Sequence, residues 1–177
     1  VSLRDSELRY RSLFEDSPVA LWEEDFSKLK QRLKEVVPPE EPDPAAWLHA
    51  RPALVRELAS LIRVLDVNSA AVRLAGARDK KELIGSLMLS MPEEALERFE
   101  LEVSHILAGD RWFRWEGPSS TVDGRPHFIS MEWTVAPGNE ENLRRVLVGM
   151  IDITDRVNAE NAQRASEARM RALLAAM

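Results

Sequence analysis

Residues 146–156 read VLVGMIDITDR. An apolar run is followed by Asp152-Ile153-Thr154, in which polar and apolar residues alternate, and then by Asp155-Arg156. The part from Val146 to Ile151 is nearly all apolar, as expected of a central strand covered on both faces. From Asp155 onward the chain is rich in alanine and contains neither Gly nor Pro, which favours a helix. The stretch therefore predicts a central strand that leads directly into a long helix.

Four more strands are predicted before this one. Residues 111–117 and 126–136 have a period of two and are separated by Asp123-Gly124, a hairpin turn signal. VALWEE (19–24) and IRVLDV (62–67) predict the other two strands. Amphipathic helical stretches are the apolar surfaces available to cover one face of such a sheet, so the predicted fold class is α+β.

A helical insertion separates the first two predicted strands. Residues 27–61 carry apolar residues at helical spacing, interrupted by the proline-rich loop PPEEPDP (38–44). We expect an N-terminal helix within residues 1–18, a core domain over residues 19–154 that includes this insertion, and a linker helix over residues 155–177.

The composition excludes several classes of function. The formal net charge is -6 without a compensating basic stripe, which argues against nucleic-acid binding. The absence of cysteine excludes disulfides, thiolate metal sites and the flavin–cysteine adduct of light sensors. No apolar run approaches the roughly 18 residues of a membrane span, so we expect no membrane contact by this segment and a cytoplasmic location. Whether a longer parent protein is anchored in a membrane stays open.

Four stretches, in order, resemble those of PAS domains from bacterial sensor proteins: YRSLFEDSPVALWEEDF (10–26), VLDVNSAAVRLAGA (64–77), DKKELIG (79–85) and VLVGMIDITDR (146–156). The resemblance implies a five-stranded antiparallel sheet in the order 2-1-5-4-3, with helices over one face and a cavity between them. It also implies a sensory or relay function, usually as a homodimer attached to a histidine kinase, a diguanylate cyclase or another PAS domain. The insertion at 27–61 departs from the family pattern.

An internal repeat accompanies the resemblance. SELRYRSLF (6–14) and SEARMRALL (166–174) share the pattern S-E-x-R-x-R-x-L-x. We interpret the second copy as the N-terminal helix of a following domain of the same kind. The same terminal helix carries a heptad-like seam of small and polar residues, typical of weak helix pairing. The seam comprises Ile151, Thr154, Asn158, Asn161, Ala165, Ala168, Ala172 and Ala175.

A PAS cavity implies candidate ligand-binding residues. Those expected to face it are Trp22, Leu65, Leu74, Ile129, Met131, Trp133, Leu147 and Gly149. Simple core packing is the alternative explanation for these apolar residues. Asp152 and Thr154 are the candidate signal-relay residues, because short polar side chains at a strand-to-helix junction can cap the outgoing helix. Capping without any switch is the alternative there.

The histidines and paired carboxylates do not predict a metal site or an active site. His105 should face water rather than ligate haem, His127 should lie at a strand edge, and His49 should lie on the surface of the insertion. The cofactor, if any, is unknown, and haem is not expected. The pairs Glu23–Glu24, Glu93–Glu94 and Glu140–Glu141 are interpreted as solvated surface, with no catalytic residue among them.

Three hypotheses of function follow. The leading one is a sensory or relay module that regulates a downstream kinase or cyclic-dinucleotide enzyme through its C-terminal helix, with a small molecule as a possible ligand. The alternatives are a dimerisation or linker module with a filled core, and a regulatory domain of a transcription factor. We do not expect the segment itself to be an enzyme.

Overall fold

The computed structural model describes residues 2–87, 91 and 93–177 of the 177-residue chain. The first half of the chain forms α1 (Leu3–Glu15), β1 (Ala20–Asp25), α2 (Ser27–Val36), α3 (Pro44–His49), α4 (Pro52–Ser60), β2 (Arg63–Val67), α5 (Ser69–Ala75), a 3₁₀ turn (Lys80–Glu82) and β3 (Gly85–Ser86). The second half forms α6 (Glu93–Ala108), β4 (Trp112–Ser120), β5 (Pro126–Val135), β6 (Val146–Asp152) and α7 (Thr154–Ala175).

The strands form one antiparallel sheet in the order β3-β2-β1-β6-β5-β4. This confirms the predicted α+β class and the predicted order of five strands. The sheet has a sixth strand that was not predicted, because Gly85 and Ser86 pair with Val64 and Arg63 at one edge. Two residues are too few for periodicity to reveal a strand.

The predicted insertion is confirmed as helices α2, α3 and α4, and it contributes to the core rather than lying on the surface. Leu29, Leu33, Leu48 and Leu58 are all completely buried. Asp43 caps α3 by accepting a hydrogen bond from the Ala46 amide at 3.0 Å. The three helices pack against one another and against α6, on the face of the sheet that the core covers.

The two terminal helices are much less buried. Phe14 is the one buried residue of α1, and α7 has none. An ion pair between Arg156 and Glu116 of β4, 2.7 Å long, connects the first turn of α7 to the sheet. In the described part of the chain, no helix is both long enough and apolar enough to cross a membrane.

Candidate functional site

A cavity of about 100 Å³ lies between the core-facing side of the sheet and the helices α5 and α6. Its sheet wall consists largely of apolar side chains from β1, β5 and β6, which alternate with solvent-facing ones because side chains of a strand point to opposite faces. These are Trp22, Ile129, Met131, Val148 and Met150. The opposite wall includes Leu74, Ala75, Leu83, Leu87, Met91 and Ala95.

Four of the eight predicted cavity residues are brought together there: Trp22, Leu74, Ile129 and Met131. Trp133 is not among the residues that line the cavity. Its ring packs edge-on against Phe26 with centroids 6.0 Å apart and tilts against Phe113 at 6.2 Å, and it is 1% exposed. Trp133 therefore belongs to the packed core, which corrects the expectation that it faces the cavity.

Leu65, Leu147 and Gly149 were also expected at the cavity, and the structure places them elsewhere. Leu65 is 42% exposed because the β1–β2 register passes from Glu23–Asp66 directly to Glu24–Val64, leaving Leu65 in a bulge. Leu147 and Gly149 lie on the outer face of the sheet, between the inward-facing residues of β6. A side chain at Gly149 would meet only ordinary contacts there, the closest being 3.7 Å from Leu21.

Two buried carboxyl groups line the cavity, and sequence reasoning missed both. Glu24 of β1 is 3% exposed and Glu102 of α6 is 7% exposed, so the expectation that the Glu23–Glu24 pair is solvated is wrong for Glu24. Burial, followed by the negative charge of Glu102, raises the pKa of Glu24 to about 8. Burial likewise raises the pKa of Glu102 to about 8, against a smaller opposing effect of the Trp133 indole.

The sequence contains a pattern that indicates burial for each of these two residues. Glu24 follows Trp22 by two positions, so if the indole faces the core the carboxyl must do so too. Glu102 lies three residues after Phe99 and four before Ile106, and both of these are buried on the same face of α6.

The other carboxylate pairs have different surroundings. Glu23 points away from Glu24 and forms an ion pair with Arg145 at 2.6 Å. Glu140 is partly buried and Glu141 is exposed. The side chains of Glu93 and Glu94 lie outside the described part of the structure.

His127 lines the cavity rather than lying at a free strand edge, and its side chain is only 11% exposed. Its Nδ1 atom is 4.0 Å from Oδ2 of Asp152. Burial lowers the pKa of His127, and Arg125 lowers it further, against the opposing effect of Asp152. The imidazole is therefore neutral at pH 7, and its approach to Asp152 is a polar contact rather than an ion pair.

The other two histidines lie outside the cavity. His105 is 44% exposed, with Nδ1 2.6 Å from Oδ2 of Asp110. His49 is 82% exposed, as predicted, and contacts Glu100 at 3.0 Å. Among the described residues, no three His, Asp or Glu side chains cluster in a way that could hold a metal ion.

Asp152 and Thr154, the predicted relay residues, meet at the junction between β6 and α7. The carboxylate of Asp152 accepts hydrogen bonds from the Thr154 amide at 2.8 Å and from the Thr154 hydroxyl at 2.5 Å. That hydroxyl oxygen also accepts from the Phe128 amide of β5 at 2.9 Å. Partial burial opposes ionisation of Asp152, but the hydrogen bonds from the Thr154 hydroxyl and amide outweigh it and lower the pKa of Asp152.

Comparison with known proteins agrees with this architecture. Residues 48–158 match the family model described as the PAS fold. No curated protein sequence matches the chain.

Solved structures are similar at low sequence identity. A domain of a sensory box sensor histidine kinase/response regulator from Geobacter sulfurreducens is 16% identical, with a TM-score of 0.51 over 85% of this chain and 97% of that one. The Rhodobacter sphaeroides LOV protein is 15% identical, with a TM-score of 0.57 over 94% and 77%. The PAS domain, in complex with ethanol, of a LuxR-family transcriptional regulator from Burkholderia thailandensis is 11% identical, with a TM-score of 0.52 over 81% and 96%. At these identities the likeness concerns the fold.

Proposed function

The chain belongs to the PAS fold family, typically sensory or regulatory modules, and we propose that it senses a small ligand in its cavity and relays that state to α7. The relay runs through the junction of Asp152 and Thr154. In a longer protein, α7 would then regulate an output domain such as a kinase or a cyclic-dinucleotide enzyme.

One observation carries this proposal: His127 lines the cavity and also lies 4.0 Å from Asp152, which binds both polar groups of Thr154 at the start of α7. A ligand that displaces the imidazole would change the environment of Asp152. Because Asp152 holds the first residue of α7, and Thr154 in turn is bonded to β5, such a change alters the angle or stability of the helix.

The size of the cavity supports a small occupant. A volume of about 100 Å³ is well below the roughly 300–1,000 Å³ of pockets for drug-sized ligands. It is nonetheless several times the volume of roughly 10–15 Å³ that one ordered water needs on the same kind of measure. The related PAS domain that was solved in complex with ethanol is consistent with an occupant of this size.

The exposed surface of α7 supports an output through that helix. Met170 and Leu174 are 59% and 63% exposed, and they occupy the positions that Tyr10 and Phe14 hold in the repeated sequence of α1. Phe14 is buried against this domain, so Leu174 would contact a following domain in the same way. This extends the proposal to a tandem arrangement.

A cavity-filling variant tests the relay without any knowledge of the ligand. Ala95→Leu places extra apolar volume in the cavity, whereas Ala108→Leu adds the same atoms on the exposed end of the same helix. We expect Ala95→Leu to change amide hydrogen exchange in the first turns of α7 at least threefold and Ala108→Leu to leave it unchanged. Combining Ala95→Leu with His127→Leu should abolish the change, because the polar link to Asp152 is then absent.

The result that contradicts the relay is equally specific. If Ala95→Leu is folded, as shown by its circular dichroism, and its α7 exchange matches that of the unaltered chain, the cavity does not communicate with α7. A dimerisation or linker module with a passive core would then be the better description.

A further inference from the structure

The chemistry of the cavity narrows the class of ligand. Glu24 and Glu102 approach it from opposite walls, one on the sheet and one on a helix, and both side chains are more than nine-tenths buried. Glu24 accepts no hydrogen bond from a described residue, and its shifted pKa has only burial and Glu102 as causes. Burying a carboxyl group without a partner is costly, so the cavity holds acceptor capacity that the described protein atoms leave unused.

No cation among the described residues neutralises these carboxyl groups. Among the described residues that line the cavity there is no Lys or Arg, and His127 is the one basic group. Arg98 of α6 has its guanidinium carbon 5.6 Å from the centroid of the Trp115 ring, and Arg98 does not line the cavity. At pH 8.5, where both carboxyl groups are largely ionised, an anionic ligand would meet two negative charges and no fixed positive charge, which disfavours small carboxylates.

An aromatic side chain accompanies the two carboxyl groups. The indole of Trp22, two residues before Glu24 on the same face of β1, lines the cavity, and an indole ring attracts a positive charge. Ser119 also lines the cavity but at its other end, because it pairs with His127, whereas Glu24 lies in the row of Val146 and Val135. Eight residues of β5 separate His127 from Val135, roughly 26 Å along the strand, so Ser119 cannot share a ligand nitrogen with Glu24.

We propose that the cavity binds a small primary ammonium compound, whose charged group is held by Glu24 and Glu102 and whose short apolar part contacts Trp22 and Met131. A primary ammonium has three N–H donors, enough to bond both carboxyl groups, and its positive charge stabilises their ionised form. The largely apolar remainder of the wall favours an organic cation over a hydrated metal ion. This inference rests on the proposed sensing function and names the class of ligand for the same site.

Binding is linked to protons. With pKa values near 8, both carboxyl groups are mainly protonated at pH 7 when the cavity holds no cation. An ammonium group favours the carboxylate form, so its binding at pH 7 releases a proton from Glu24 or Glu102 to solvent. His127, the remaining titratable group that faces the cavity from β5, has a lowered pKa and is already neutral, so it adds little proton exchange.

The test uses the chain of residues 1–177 and three probes with the same carbon skeleton: n-butylammonium, n-butanol and n-butyrate. Calorimetry at pH 8.5 should show n-butylammonium binding at least tenfold more tightly than n-butanol, with no binding of n-butyrate. Repeating the titration at pH 7 in two buffers of different ionisation enthalpy should reveal proton release. The affinity for n-butylammonium should be lower at pH 6 than at pH 8.5 by at least tenfold.

Variants locate the site. Glu24→Gln and Glu102→Gln, which keep the side-chain size, should each weaken n-butylammonium binding at least tenfold. Glu132→Gln is the matched control, because Glu132 is an exposed carboxylate on the outer face of β5.

Three outcomes would overturn this inference. They are equal binding of n-butanol and n-butylammonium, no binding of any probe by the unaltered chain, and n-butylammonium binding that the two Gln variants leave intact. The first comparison needs only the unaltered chain, so it decides the question even if a variant fails to fold. The Ala95→Leu experiment uses no ligand, so it tests the relay function independently of the class of ligand.

Discussion

The side-chain amide of Asn68 donates a hydrogen bond to the backbone carbonyl oxygen of Phe14, 3.0 Å away and 54 residues earlier in the chain. The same amide nitrogen donates to the carbonyl of Val19 at 2.8 Å. Its oxygen accepts from the amides of Leu21 at 3.0 Å and Ala71 at 2.9 Å. One fully buried side chain thus fastens the end of α1, the start of β1 and the first turn of α5 to one another.

We expect Asn68→Ala to be strongly destabilising. It removes four hydrogen bonds and leaves buried backbone groups without partners, which predicts a loss of roughly 2–4 kcal/mol in the free energy of unfolding. Urea denaturation followed by circular dichroism measures this loss. Asn161→Ala on the exposed surface of α7 is the control and should change stability by less than about 0.5 kcal/mol. Equal effects of the two substitutions would contradict the role of Asn68.

Asn68 also shows what the sequence could reveal. Its place before SAAVRLA predicts the cap of α5, and the structure confirms that cap through the Ala71 amide. The hydrogen bonds to Phe14 and Val19 could not be predicted, because they depend on how α1 and β1 approach α5 in three dimensions. Local caps are encoded within a few residues, whereas contacts between distant elements require the packed fold.

The residues of the candidate site also fall into two groups: those that a local sequence rule places correctly and those whose position depends on the packed fold. Period-two alternation was sufficient to place Trp22, Ile129 and Met131 on one face of the sheet. The same rule failed at Leu65, because a bulge opposite Glu23 and Glu24 breaks the alternation and nothing in RVLDV announces it. The same rule places Glu24 on the face of Trp22, but charged residues are so rarely buried that Glu24 was predicted to face solvent.

The second prediction concerns the attachment of α1. Phe14 is 7% exposed whereas the adjacent Leu13 is 66% exposed, so one side chain of the pair packs on the domain. Phe14→Ala should cost about 3 kcal/mol, within the usual range for a buried aromatic residue, and Leu13→Ala less than about 0.5 kcal/mol. Hydrogen exchange throughout residues 3–15 should accelerate in Phe14→Ala and stay unchanged in Leu13→Ala. If α1 keeps its protection in both variants, Phe14 is not its anchor.

The third prediction is a dependence of stability on pH that arises from Glu24 and Glu102. Their ordinary pKa of 4.5 applies to the unfolded chain, and their pKa in the folded chain is about 8. Between these values the folded state holds more protons than the unfolded state, so its stability falls as pH rises from 4.5 to 8. Each extra proton contributes a slope of about 1.4 kcal/mol per pH unit.

The double variant Glu24→Gln/Glu102→Gln isolates this effect. Gln cannot ionise, so the stability of the variant relative to the unaltered chain should increase steadily from pH 5 to pH 8. Urea denaturation at five pH values across that interval measures the difference. Parallel stability curves for the two proteins would mean that neither carboxyl group has a raised pKa in the folded state.

The last prediction concerns self-association through α7. No residue of this helix is buried, although Ala165, Ala168 and Ala172 lie along one side of it within the heptad-like seam. We propose that two chains pair along this seam, and the small side chains predict a weak, concentration-dependent dimer. Light scattering over a range of protein concentrations should therefore show a transition from monomer to dimer.

A matched pair of substitutions tests whether the seam forms the interface. Ala165→Arg and Ala159→Arg introduce the same side chain on one helix, but at 100° per residue Ala159 lies about 150° from the centre of the seam. Ala165→Arg should keep the protein monomeric at concentrations where Ala159→Arg still dimerises, because a bulky charged side chain prevents the close approach that alanines allow. An unaltered chain that stays monomeric at every accessible concentration would refute pairing through α7. A dimer that survives Ala165→Arg would instead place the interface on another surface, and the relay would then have to act without a change in helix pairing.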